Sequence, residues 1–266
     1  MDYVPHFRRE VQAFEAAARR AAAGGGAPPV PSCPGWSVAD LTGHLAWVHR
    51  YVIHVVGERL AERPEETDPG HLRLPADITG WPLPERAPNR GPIPEGLIAW
   101  FAEGAAALAS LFASRDPGER VWTWSREQTT GFWVRMQTIE AALHRWDAEN
   151  ALGAAQPVQA ELAVDAVAQN FEVMAPARRA RTQAPPGTGE RYRFRRTDGP
   201  GDWTVCFTAD DVRLDAGGGA PGDVELAGTA SDLMLFLWGR LPADRLDAVH
   251  GDETVLGRYF TLVPPG

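Results

Sequence analysis

Three side chains in this sequence have the types and spacing of a metal-ligand set. Glu140 and His144 stand four residues apart in a segment whose apolar residues, Phe132, Met136, Ile139, Leu143 and Trp146, recur at helical steps. Positions i and i+4 share one helix face. At about 100° per residue, Glu140, His144 and Asp147 occupy neighbouring angles beside that apolar stripe. Upstream, Val38, Leu41, Leu45, Val48 and Val52 outline another helix face, and His44 sits on its apolar arc, where an imidazole needs a buried partner. His49 falls near the edge of the arc and His54 outside it, so periodicity ranks His44 first as an inward ligand.

Two imidazoles and one carboxylate suit zinc and leave a fourth position open for water or substrate. The same residues fit a second reading, in which Glu140 pairs with Arg145 or a neighbouring basic side chain and His44 is a hydrogen-bonded core histidine. A non-haem iron triad uses the same ligand types, but no oxidant-binding motif accompanies them. Cys33, in a Pro-Gly turn, reads as a small packed residue rather than a ligand. Trp36, Trp47, Trp133 and Trp146 are candidates for an apolar pocket around the metal or for plain core; Trp81, Trp122 and Trp124 lie in or near loops.

The elements that must position these groups follow from the same patterning. Phe7, Val11, Phe14 and Ala18 mark a first helix ending at Gly24-Gly25-Gly26. Ser37, three residues before Asp40, forms a capping box for the second. From about Gly57 to Pro94 the chain is a long connection rich in Pro, Gly, Asp and Glu; its charge block, Glu58 to Asp68, reads as a solvated loop. Leu97, Phe101, Leu108 and Leu111 mark a third helix, the His144 segment a fourth, and Ala160 to Met174 a fifth, which makes a bundle of four or more helices. After Pro176 the pattern changes to alternating strings at Arg191–Phe194 and Trp203–Phe207, with short strands at Val212–Asp215 and Val224–Leu226 and a final apolar helix capped by Ser231-Asp232. We therefore expect a helical bundle over residues 1–178 and a small α+β domain over 187–266.

The 266 residues carry a formal charge of −9, which argues against partners that are nucleic acids or anionic membranes and favours a small molecule. No uninterrupted apolar run of about 18 residues is present, so no spanning helix is expected. The amino terminus lacks a secretory pattern, and the two cysteines, Cys33 and Cys206, are expected as thiols in a reducing, cytoplasmic setting.

The stretch from Pro31 to Leu45, PSCPGWSVADLTGHL, resembles the opening motif of the mycothiol-dependent maleylpyruvate isomerase family, within the DinB-like metal-binding bundles; Ile139 to Asp147, IEAALHRWD, resembles its second motif. The stretch from Gly228 to Arg240 is similar to the sterol-carrier-like carboxy-terminal domain that accompanies that bundle. The resemblance implies an amino-terminal DinB-like bundle and a small α+β domain. It implies Zn2+, or another divalent metal, on His44, Glu140 and His144, and mycothiol as a low-molecular-weight thiol cosubstrate.

On that footing the metal favours the thiolate of the cosubstrate, which adds to an electrophilic small molecule and gives isomerisation or S-conjugation. Asp147 is the candidate acceptor for the second nitrogen of His144 or a contact to the cosubstrate, its alternative role being a charge on the helix surface. Arg240 is the candidate to hold a substrate carboxylate, its alternative role being to favour a helix dipole. Two other classes stay open: a metal-dependent hydrolase, in which water takes the open position, and a non-catalytic metal- or small-molecule-binding protein.

Overall fold

The computed structural model describes residues 1–64, 69–215 and 221–265, so the last part of the charge block, residues 65–68, lies outside the described residues. The chain divides into two compact units, Met1–Gln156 and Pro157–Gly266.

The first unit is built on four long helices, α1 (Tyr3–Ala23), α2 (Val38–Gly57), α3 (Glu95–Ser114) and α4 (Thr130–Ala151). α1 packs on α3 and α4, and α2 packs on α3 and α4. The apolar stripes meet in a core of Phe7, Phe14, Leu41, Leu45, Leu97, Phe101 and Ile139, all out of contact with solvent. Burying each such side chain contributes roughly 1.5–3 kcal/mol. α2 starts where the spacing predicts, because the Ser37 hydroxyl accepts from the Asp40 amide while the Asp40 carboxylate accepts from the Ser37 amide. α3, contrary to the sequence expectation, is long and apolar enough by length and composition to cross a membrane, with half of its most apolar window buried in the bundle.

A buried ion cluster ties α1 to α4. The Arg145 guanidinium donates to Glu10 and to Glu149, each at 2.8 Å, and all three side chains are nearly inaccessible. Arg145 is therefore paired with Glu10 and Glu149 rather than with Glu140, whose basic partner is instead His44.

The second unit holds a mixed five-stranded sheet made of β1 (Gly187–Arg196), β2 (Asp202–Ala209), β3 (Asp211–Asp215), β4 (Val224–Gly228) and β5 (Ala248–Gly251), in the order β3-β2-β1-β4-β5. β1 and β4 run parallel and every other neighbouring pair is antiparallel. Tyr192, Phe194, Val205, Phe207 and Leu226 form its buried face. On the opposite face Arg193 and Arg195 pair with Asp202 and Glu225.

Helices α5 (Ala160–Gln169), α6 (Ala175–Thr182), α7 (Ala230–Leu237) and α8 (Glu253–Leu262) complete this unit. α5 passes through a single wide turn, Asn170–Met174, into α6, so the fifth helical segment continues past Met174. α5 packs on α7, which places residues 157–178 with the sheet rather than with the four-helix bundle. The cap of α7 is Thr229, not Ser231, and β5 and α8 follow the helix that the sequence pattern made the last. The two cysteines fall in different units and are not joined.

Candidate metal centre and adjoining recess

α2 and α4 bring the predicted trio together. Each of His44, Glu140 and His144 offers a ligand atom, and these atoms lie within 4.8 Å of one another. The His44 Nε2–H donates to Glu140 Oε1 at 3.0 Å, and the Gln137 side-chain amide donates to Glu140 Oε2 at 2.7 Å. Gln137 stands three residues before Glu140 on the same face of α4, a relation the sequence contained and the spacing argument passed over.

Burial pushes the Glu140 carboxyl upward, but the hydrogen bond from His44 and the charges of His44 and His144, with Gln137 added, outweigh it and hold the group at about 2. Glu140 is thus a carboxylate at neutral pH, the form a metal ligand needs. Ligands at about 2.0–2.2 Å from a tetrahedral ion lie about 3.4 Å apart, so the trio fits a small divalent cation with shifts of no more than about an ångström.

Asp147 is completely buried rather than a surface charge. Its Oδ2 accepts from His144 Nδ1 at 2.9 Å and from the Cys33 thiol at 3.4 Å, and its Oδ1 accepts from the Ser32 hydroxyl at 2.6 Å. The Asp147 contact puts the proton of His144 on Nδ1 and leaves Nε2 as the nitrogen to join His44 and Glu140. Ser32 lies inside the first motif, yet nothing in its spacing signals a partner on α4. Cys33, His144 and Asp147 form a second group of close donor atoms, which shares His144 with the first.

Trp36 joins the centre to its surroundings: its ring lies 5.1 Å from His44 edge-on and 6.5 Å from His144 in a stacked orientation. It also lines a recess of about 470 Å³ with His44, Trp47, Leu74, Trp81 and Trp100. Of the four tryptophans singled out for a pocket, Trp36 and Trp47 line this recess. Trp133 and Trp146 are buried, and Trp133 donates to the Trp122 carbonyl. Trp81 and Trp100 were not legible as lining residues, since one comes from the long connection and the other from α3.

The connection is anchored by Asn89, whose amide and side chain both donate to Asp40, at 3.0 and 2.6 Å. Burial works against the charge of Asp40, but the hydrogen bonds from Asn89 and Ser37 prevail and hold its carboxyl below the ordinary value.

His49 departs from the sequence ranking. It is fully buried, between the rings of Phe7 and Phe101, while His44 keeps 31 % of its side chain exposed. Neither ring nitrogen of His49 has a hydrogen-bond partner among the described residues, and burial pushes its pKa down to about 3. Arg240 lies beyond α7 in the second unit, where its guanidinium donates to the Trp238 carbonyl at 2.8 Å.

The profile of the Mycothiol maleylpyruvate isomerase N-terminal domain matches residues 7–149, and that of the MDMPI C-terminal domain matches residues 161–258. The chain belongs to the mycothiol-dependent maleylpyruvate isomerase family, a family of enzymes. A solved structure of a histidine-to-alanine mutant of mycothiol-dependent maleylpyruvate isomerase superposes on it with a TM-score of 0.61, at 14 % identity over 92 % of this chain and 90 % of that one. At that identity the likeness establishes that this family member shares the fold. No curated protein matches the chain by sequence.

Proposed function

We propose that the protein is a mycothiol-dependent isomerase or S-transferase that holds one divalent metal, zinc by its donor set, on His44, Glu140 and His144. The observation that carries this reading is the convergence of three donor atoms from two helices within 4.8 Å, beside a recess large enough for a substrate. Bound there with a ligand position open, the metal would lower the pKa of an incoming thiol and supply a thiolate at neutral pH.

The chain's own groups prepare that position. Asp147 sets the tautomer of His144, and Gln137 occupies the second oxygen of Glu140 and so limits it to one-oxygen ligation. Trp36 packs against both imidazoles and so helps to fix their orientation. The cosubstrate sulfur, deprotonated, forms a C–S bond to an electrophilic alkene carbon while the π pair moves onto the adjoining carbonyl. Rotation about the new single bond and departure of the sulfur with its electron pair complete an isomerisation; protonation and release of the adduct complete a conjugation. Arg240 is the candidate for a substrate carboxylate, and a reducing, cytoplasmic location suits a thiol cosubstrate.

A hydrolase needs a base beside the open position. Asp40, the carboxylate lining the recess, is already occupied by donors from Ser37 and Asn89, which disfavours that role.

The decisive experiment combines elemental analysis with a calorimetric titration by mycothiol, on the wild type and His144→Ala. We expect one metal per chain and thiol binding in the wild type, and loss of both in the variant. Full metal without thiol binding would end the thiol-transfer reading, and no metal under replete conditions would end the metalloenzyme reading altogether.

A further inference from the structure

The recess beside His44 has a chemistry of its own. Its walls are the indoles of Trp36, Trp47, Trp81 and Trp100, with Leu72, Leu74, Leu97 and three further apolar residues between them. Among the described residues it has no lysine or arginine in its lining, and its one acidic side chain, Asp40, is spent on Ser37 and Asn89. Arg50 stacks on Trp100, 4.6 Å from the ring, but donates to the Trp100 carbonyl and is not part of the lining. A substrate carboxylate placed in this recess would lose its hydration and meet no lysine or arginine, and the one imidazole of the lining, His44, already donates to Glu140.

The apolar character extends past the recess itself. Of the six large hydrophobic side chains that are exposed among the described residues, Trp47 and Leu74 line it, and Ile78 and Leu83 flank Trp81 in the same connection. Apolar side chains gathered on one part of a surface, rather than scattered singly, mark a binding site. A cavity of roughly 150 Å³ admits benzene, so about 470 Å³ leaves room for a ring and the linker that joins it to a reacting carbon at the metal.

We propose that this recess receives an uncharged apolar substituent, of about phenyl size, carried by the electrophile. The substrate is then an unsaturated carbonyl compound with an apolar arm, not a small dicarboxylate. This inference rests on the thiol-transfer reading for the reaction, but the recess makes its own separate prediction for binding.

The test is a series of maleate monoesters (methyl, butyl and benzyl) with maleate as parent, assayed with mycothiol on the metal-loaded protein. Each kcat/KM is divided by the rate of the uncatalysed thiol reaction with the same compound. Sulfur adds to the alkene in every member, so among the three esters the arm alone varies, and maleate adds a second carboxylate in its place. We expect kcat/KM to rise on the order of tenfold or more from methyl to benzyl. Trp81→Ala should erase most of that gain, and Leu74→Arg should shift the preference toward maleate. Independently of turnover, benzyl maleate added without thiol should quench tryptophan fluorescence saturably, and more weakly in Trp81→Ala.

A flat series, or a preference for maleate, with thiol binding intact would overturn the substrate class and leave the reaction standing. Absence of thiol binding and of thiol-dependent turnover would overturn the reaction, and the fluorescence titration would then decide the recess: saturable quenching supports it, and its absence sinks it.

Discussion

Asp147 Oδ2 lies 2.9 Å from His144 Nδ1 on the next turn of α4, and the carboxylate has no exposure to solvent. A buried carboxylate that receives an imidazole N–H, a hydroxyl and a thiol is organised to hold a direction rather than to supply charge to the surface. Ser32 and Cys33, on the turn before α2, thereby reach across to the helix that carries Glu140 and His144.

Asp147→Asn keeps the shape of the side chain but offers an amide in place of one acceptor, so His144 loses its tautomer control. We expect metal affinity to fall about 10–100-fold, read by competition with a chromogenic chelator, with little change in thermal stability. Ser32→Ala should give a smaller loss in the same direction, since Asp147 then keeps the His144 and Cys33 donors.

Arg145 bridges two buried carboxylates, Glu149 and Glu10, of which Glu10 is also paired with Arg9, so its removal strips Glu149 of this ion pair and leaves Glu10 to Arg9. Arg145→Leu should destabilise the first unit by about 3–5 kcal/mol, measured by urea denaturation. A triple replacement of Glu10, Arg145 and Glu149 by apolar residues should recover much of that loss.

His49 makes stability depend on acid. Burial holds its folded pKa at about 3, below the ordinary 6.5; His44, Arg50 and His144 push the same way and Glu140 opposes them. Between those values the unfolded chain binds the extra proton, so the folded state is fully favoured above about pH 6.5 and loses about 1.4 kcal/mol per unit as pH falls toward 3. His49→Phe should flatten that slope in denaturation curves at pH 4, 5 and 7. An unchanged slope would show that other groups govern acid unfolding.

Asn89 joins the end of the long connection to the cap of α2 through Asp40. Asn89→Ala should cost about 1–2 kcal/mol and loosen the wall that includes Trp81, which acrylamide quenching of tryptophan fluorescence would detect as greater accessibility. Ser37→Ala should cost about 1 kcal/mol through the lost cap.

The positions of α1 to α4 and most strands were open to reading because local physics writes them into the chain: apolar residues at helical or alternating steps, a Ser37–Asp40 cap, glycines and prolines at the ends. The grouping of His44 with Glu140 and His144 was legible from helix faces and from two motifs, since i, i+4 geometry is fixed by the backbone alone. What the sequence could not rank was depth. His49 is more buried than His44 because Phe7 on α1 and Phe101 on α3 close over it, and no pattern within α2 contains those neighbours. The partners of Arg145 and Asp147, the unit to which residues 157–178 belong, and the places of Trp81 and Trp100 in the recess were likewise decided by tertiary structure. Each depends on which segments, far apart in the chain, are brought within a few ångströms, and packing of whole apolar faces selects that.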